Sequence, residues 1–154
     1  MSVWDLLDPL APALAIASAL AWVGNLLAGS AYGRPGRGFG YLFLPDIYGY
    51  VEYRFATQIV AAIVYVLLFG VLWYLLRRRT RPGLPFAAYL LLVGATQFAL
   101  EFTRGDDTML IGGLRLAQWL DAAAVVAGLI LLVVLRRRAM RPSDAASAQE
   151  VAVG

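Results

Sequence analysis

The chain of 154 residues contains no cysteine, no histidine and no lysine, and its charged residues make up only 15%. Without cysteine there are no disulfides, no thiolate nucleophile and no cysteine metal site. Without histidine the usual neutral-pH proton shuttle is missing. All 13 basic residues are arginines, which stay charged and present a planar fork that suits phosphate. No P-loop, HExxH, GxSxG or dinucleotide fingerprint occurs. Most hydrolase and metal schemes are thereby excluded, and no cofactor is expected. What remains is stabilisation of a phosphate by arginine, with Glu101 or Asp121 as acid or base.

What the chain has in quantity is apolar sequence, 61% by residue. Four runs are each long enough to cross a bilayer, which takes roughly 20 residues. The expected fold is all-α: a polytopic helical membrane protein with four transmembrane helices and a long aromatic outer loop. The spans are placed at about residues 10–29, 57–76, 86–102 and 114–135, within a single membrane domain of residues 1–141. Residues 142–154 are expected to form a disordered cytoplasmic tail. Met1 to Pro9 reads as a short polar lead, and the first run reads as a retained helix, since no basic n-region precedes it. The net charge of +3 gives no case for a nucleic-acid partner, because the arginines cluster beside the apolar runs.

The segment from Ser30 to Ala56 is broken repeatedly by glycine and proline. It carries Tyr32, Phe39, Tyr41, Phe43, Tyr48, Tyr50, Tyr53 and Phe55. It is too apolar for free solution and too broken for a helix, which predicts a loop at the headgroup layer. Arginine runs at 77–81 and 136–141 end the second and fourth spans. Positive residues beside spans stay in the cytoplasm, so both termini are expected there. The scattered Arg34, Arg37 and Arg54 oppose this orientation and are outweighed by the two runs.

The costly side chains segregate along the spans. Asn25, Gln58, Gln97, Glu101, Gln118 and Asp121 all fall in the outer halves, and the cytoplasmic halves read as almost purely apolar. Ionisable groups inside a membrane usually face protein, water or a partner, so this segregation predicts one polar cavity near the outer surface. Gln97, Glu101 and Arg104 are spaced i, i+4 and i+7, which puts them on one helical face. Glu101 with Arg104 is either an ion pair snorkelling at a helix end or the polar floor of a phospholipid-headgroup site. Asn25 either joins helices by a hydrogen bond or serves that site. Asp121 is expected to pair with an arginine of another segment, because Arg115 is awkwardly spaced for a same-face pair.

Three stretches resemble the prolipoprotein diacylglyceryl transferase family, in its C-terminal part. VGNLLAGSAYGRPG (23–36) is similar to the family signature, with Asn25 and Gly33 on its asparagine and closing glycine. YRFATQIVAAI (53–63) resembles a family segment of arginine, histidine, proline, any residue and glutamine that opens a span. FALEFTRGDD and GLRLAQWLD resemble the family's glutamate-containing helix and the start of its last helix, with Glu101, Arg104 and Gln118 matching. Trp22, Ser30, Phe55, Ala56 and Gln97 stand where the family has arginine, glutamate, histidine, proline and arginine.

The resemblance implies transfer of the diacylglyceryl group of phosphatidylglycerol to the lipobox cysteine of a prolipoprotein, with glycerol phosphate leaving, in the bacterial cytoplasmic membrane. It implies Glu101 and Arg104 as catalytic groups. Asn25, Gly33, Arg34, Arg54, Gln58, Gln97, Gln118 and Asp121 are the implied or candidate substrate contacts. The expected partners are phosphatidylglycerol and a prolipoprotein signal peptide, and a second membrane chain is kept as a candidate partner. The alternative is a relative without catalysis that binds anionic lipid or a partner.

Overall fold

The computed structural model describes residues 2–139; the tail at 142–154, expected to be disordered, lies outside the described residues. Four helices carry the fold, α1 (Val3–Leu27), α2 (Thr57–Arg77), α3 (Leu84–Glu101) and α4 (Leu116–Ala139). All four are long and apolar enough to cross a membrane. α1 packs along α2 and α3 along α4, with further contact between the pairs. Many of the buried apolar residues of α1 and α2 are small or aromatic. Ala11, Ala15, Ala19 and Trp22 repeat along one buried stripe of α1, and Ala19 and Trp22 pack with Ala61 and Tyr65 of α2. Large side chains such as Leu20, Ile63, Leu67 and Ile130 face outward. Lipid tails are as apolar as leucine, so close backbone approach rather than apolar burial holds such helices together. At the α3–α4 contact a Cβ on Gly94 would lie 2.9 Å from the Asp121 carbonyl, and one on Gly128 would lie 2.9 Å from the Leu91 nitrogen.

The first helix begins seven residues before the expected span. The Ser2 hydroxyl accepts from the Trp4 N–H and the Asp5 carboxylate accepts from the Ser2 N–H, a capping box. Pro9 and Pro12 lie inside this helix. The early start corrects the expectation of an apolar cytoplasmic half. Asp8, 8% exposed, sits within α1 at the arginine-rich end of the bundle. Its carboxylate accepts the Gly83 N–H at 2.8 Å and the Phe86 N–H at 3.2 Å. It therefore caps α3 from a different helix, where a negative charge also meets the positive end of the helix dipole. Gly83 sits at φ 87, the left-handed region that glycine tolerates, and Pro85 follows in the first turn.

The aromatic loop is more ordered than expected. β1 (Tyr41–Pro45) and β2 (Val51–Phe55) form an antiparallel hairpin. The register pairs Phe43 with Tyr53 and Tyr41 with Phe55. These cross-strand rings meet edge to face at 4.3 and 5.6 Å, contacts that stabilise sheet pairs. The glycines and prolines that break a helix here mark the loop ends and turns of a hairpin. A two-residue pairing, β3 (Leu110–Ile111) with β4 (Leu114–Arg115), turns the chain from α3 into α4. The hairpin end of the bundle thus lies opposite the arginine end.

Candidate functional site

The chain leaves α3 at Glu101, so Arg104 is not on the helix as its spacing suggested. It lies on the following turn, held by backbone to the segment after α1. The Arg34 N–H donates to the Thr103 carbonyl at 2.9 Å, and the Gly105 N–H donates to the Tyr32 carbonyl at 2.8 Å. Gly33 faces Arg104 in this pairing. A Cβ on Gly33 would collide with the Phe55 carbonyl, so close backbone approach requires glycine there. The Thr57 and Thr103 hydroxyls meet at 2.9 Å and tie α2 to the same turn.

At this junction two carboxylates and two guanidiniums form one cluster. The Glu101 side chain is 1% exposed. Its Oε1 accepts from Arg104 Nη1 at 2.7 Å and its Oε2 from Arg115 Nη1 at 3.4 Å. Arg104 also donates from Nε and Nη2 to the two oxygens of Asp106, at 2.9 and 2.5 Å. Arg115 Nη1 reaches Asp106 Oδ1 at 3.2 Å, while its Nη2 reaches the carbonyls of Arg104 and Asp106 at 3.1 and 2.8 Å. Formal charges within the four cancel, which is what makes so buried a carboxylate tolerable. The hydrogen bond to Asp106 raises the Arg104 guanidinium above its already high value, against the opposing effect of burial. Burial alone would raise the Asp106 carboxyl; the hydrogen bonds and charges of Arg104, then Arg115, outweigh it and hold the group below its ordinary range.

Two clefts flank the cluster, and Arg104 and Asp106 line both. One, of about 470 Å³, adds Asn25, Ser30, Trp22, Tyr65 and Gln97. The other, also about 470 Å³, adds Arg34, Asp107, Thr108 and Arg115. In the first, the Tyr65 hydroxyl donates to Gln97 Oε1 at 2.9 Å, and the Ser30 hydroxyl donates to Asn25 Oδ1 at 3.1 Å. Gln58, 1% exposed, stands behind them and donates to the Ser30 carbonyl at 3.0 Å. In the second, Arg34 is exposed and spends only its Nε, on the Arg104 carbonyl at 3.1 Å. No carboxylate among the described residues lies within ion-pair distance of Arg34.

The candidate residues therefore divide. Asn25, Gln97, Arg34 and Arg104 line the clefts, and Glu101 anchors the wall between them. Gln118 accepts the Arg115 N–H at 2.9 Å, one residue before α4 begins, so it caps the helix. Arg54 belongs to the hairpin, bonded to Asp46 and Glu52 at 3.2 Å and stacked over the Tyr32 ring at 4.6 Å. Asp121 lines neither cleft, and no arginine among the described residues pairs with it. Its Oδ2 is buried without a partner, while the nearest sequence candidate, Arg115, is taken by Glu101 and Asp106. Asp106 and Arg115 escaped the sequence reading because their partners lie across a turn rather than at helical spacing. Among the described residues no cluster of acidic groups could hold a metal.

The family model for prolipoprotein diacylglyceryl transferase matches residues 1–134. Phosphatidylglycerol–prolipoprotein diacylglyceryl transferase of Symbiobacterium thermophilum is 31% identical over 150 residues, covering 93% of this chain and 55% of that protein. The protein of the same name from Streptococcus suis is 33% identical over 143 residues, 90% of this chain and 53% of the relative. That from Bordetella avium is 29% identical over 145 residues, 92% of this chain and 54% of the relative. The chain thus spans about half the length of the curated relatives it matches. On the extent of that match, and with four helices fit to cross a membrane, the chain belongs to the prolipoprotein diacylglyceryl transferase family.

Proposed function

We propose that the chain binds the headgroup of phosphatidylglycerol at the hairpin end and takes part in moving its diacylglyceryl group to a lipobox cysteine. The observation that carries this is Arg34. Its terminal guanidinium nitrogens are open to a cleft in which Arg104 and Arg115 are already held by Glu101 and Asp106, so Arg34 is the lining arginine with nitrogens to spare for an anion. The arginine fork matches the oxygens of a phosphate monoanion. Arg104 is a poorer phosphate ligand, because Glu101 and Asp106 take all three of its nitrogens. Glu101 acts as the counter-ion that fixes both arginines rather than as a free base.

In the transfer, the cysteine sulfur bonds to the glyceryl carbon and the carbon–oxygen bond to phosphate breaks. The electron pair leaves with the phosphate oxygen, and the thiol proton ends on the departing glycerol phosphate. The hairpin end faces the extracytoplasmic side in this reading, with both termini cytoplasmic, because the 77–81 and 136–138 arginines crowd the other end.

The test is the purified chain with phosphatidylglycerol and a lipobox peptide. Release of glycerol phosphate with a diacylglyceryl mass gain on the peptide is expected, falling about tenfold or more in Arg34→Gln, since one charged hydrogen bond is removed. One observation favours the second reading, a lipid-binding relative without catalysis. Trp22, 5% exposed, packs in the core at the position where the family signature carries arginine. Retention of phosphatidylglycerol that depends on Arg34, with no glycerol phosphate released, would establish that reading. Retention and turnover both indifferent to Arg34→Gln would remove both.

A further inference from the structure

The arginine end of the bundle holds a cleft of its own, about 660 Å³. Leu84 of α3 and Leu129, Leu132 and Val133 of α4 form its walls, and Arg81 and Arg136 stand in its lining from either side. From Leu129 to Arg136 the helix rises about 10 Å, so the apolar wall runs inward from a cationic mouth. Both arginines are exposed, and no carboxylate among the described residues lies within ion-pair distance of either. Their neighbours differ: Arg77 and Arg78 lie over the Trp73 and Tyr74 rings at 5.2 and 4.9 Å. The volume falls within the roughly 300–1,000 Å³ of small-molecule sites.

We propose that this cleft holds one anionic phospholipid of the leaflet at the arginine end, a site separate from the Arg34 cleft and carrying no reaction. Its phosphate sits between Arg81 and Arg136, and one acyl chain lies along Leu129 to Val133. Two cations from different segments of the chain converge on a groove whose remaining wall, Thr80 apart, is hydrocarbon. That combination matches a phosphate joined to a fatty chain, and it offers a zwitterionic headgroup no carboxylate for its positive end. Each arginine at such a surface is worth about fivefold in anionic-lipid affinity.

The full chain in detergent, titrated separately with phosphatidylglycerol and phosphatidylcholine and followed by native mass spectrometry, provides the test. The expected result is a bound phosphatidylglycerol that survives Arg34→Gln and weakens about 25-fold in the Arg81→Gln/Arg136→Gln double variant. The Arg81→Lys/Arg136→Lys variant, which keeps the charge, should retain most of it. Leu129→Trp, which fills the groove while leaving both arginines, should also displace the lipid. Equal retention of phosphatidylcholine, indifference to the double Gln variant, or a groove occupied by a second copy of the chain would each overturn the proposal. Turnover and hairpin-end lipid retention both indifferent to Arg34→Gln, with this lipid still bound, would count against the Arg34 reading alone.

Discussion

Arg104 grips Asp106 by both carboxylate oxygens, Nε to Oδ1 at 2.9 Å and Nη2 to Oδ2 at 2.5 Å, on a turn just past the end of α3. The pair makes the junction sensitive to acid. Asp106 is held below its ordinary range in the folded chain, while in the unfolded chain it titrates near about 3.9. Its contribution to stability is therefore present above about pH 4 and fades as pH falls through the lower folded value. Thermal unfolding in detergent should show a loss of stability on going from pH 5 to pH 3 that Asp106→Asn reduces. An identical acid profile in that variant would contradict the assignment.

Removing the charge of Glu101 should be more damaging. Glu101→Gln leaves Arg104 and Arg115 with Asp106 as their one carboxylate partner. Breaking a buried ion pair from one side costs about 3–5 kcal/mol, and the surviving Asp106 contacts point to the lower end, about 3 kcal/mol. A fall of less than about 1 kcal/mol in unfolding free energy would mean the cluster is better hydrated than its burial indicates.

Asp8 offers a check far from the two clefts at the hairpin end. Asp8→Ala strips the acceptor from the Gly83 and Phe86 N–H groups and should cost about 1–2 kcal/mol. Asp8→Asn keeps one acceptor oxygen and should recover part of that loss. Lipid retention at the Arg34 cleft should not change in either variant. A change there would mean that the two ends of the bundle are coupled.

The α3–α4 contact gives a fourth test. Gly94→Ala puts a methyl 2.9 Å from the Asp121 carbonyl, which belongs to backbone and yields little. Overpacking of this kind costs about 1–3 kcal/mol. Gly24→Ala, where nothing lies within 4 Å, should be neutral or mildly stabilising by comparison. Equal effects of the two substitutions would argue against close packing of α3 on α4.

The four apolar runs were plain in the sequence because twenty-residue hydrocarbon-like segments have few other uses. The junction was half legible. Glu101 and Arg104 stood out as costly groups, and they do pair, but through a turn rather than along a helix. Arg115 reaches Glu101 across fourteen residues and an intervening reversal, a distance no helical period encodes. The hairpin was hidden because its aromatic residues read as a membrane anchor, whereas four of them pair across two short strands. Asp8 was missed for a related reason. Met1 to Pro9 reads as a short polar lead, while the capping box at Ser2 and Asp5 starts a helix within it.

The wall between the two clefts at the hairpin end includes Arg104 and Asp106, which belong to both. Neither chamber can then be reshaped by itself. A swing of the guanidinium toward an occupant on one side withdraws it from the other, and the carboxylate it releases must find new donors in whichever space opens. Asymmetry between the two rooms is thus a matter of where one planar group points.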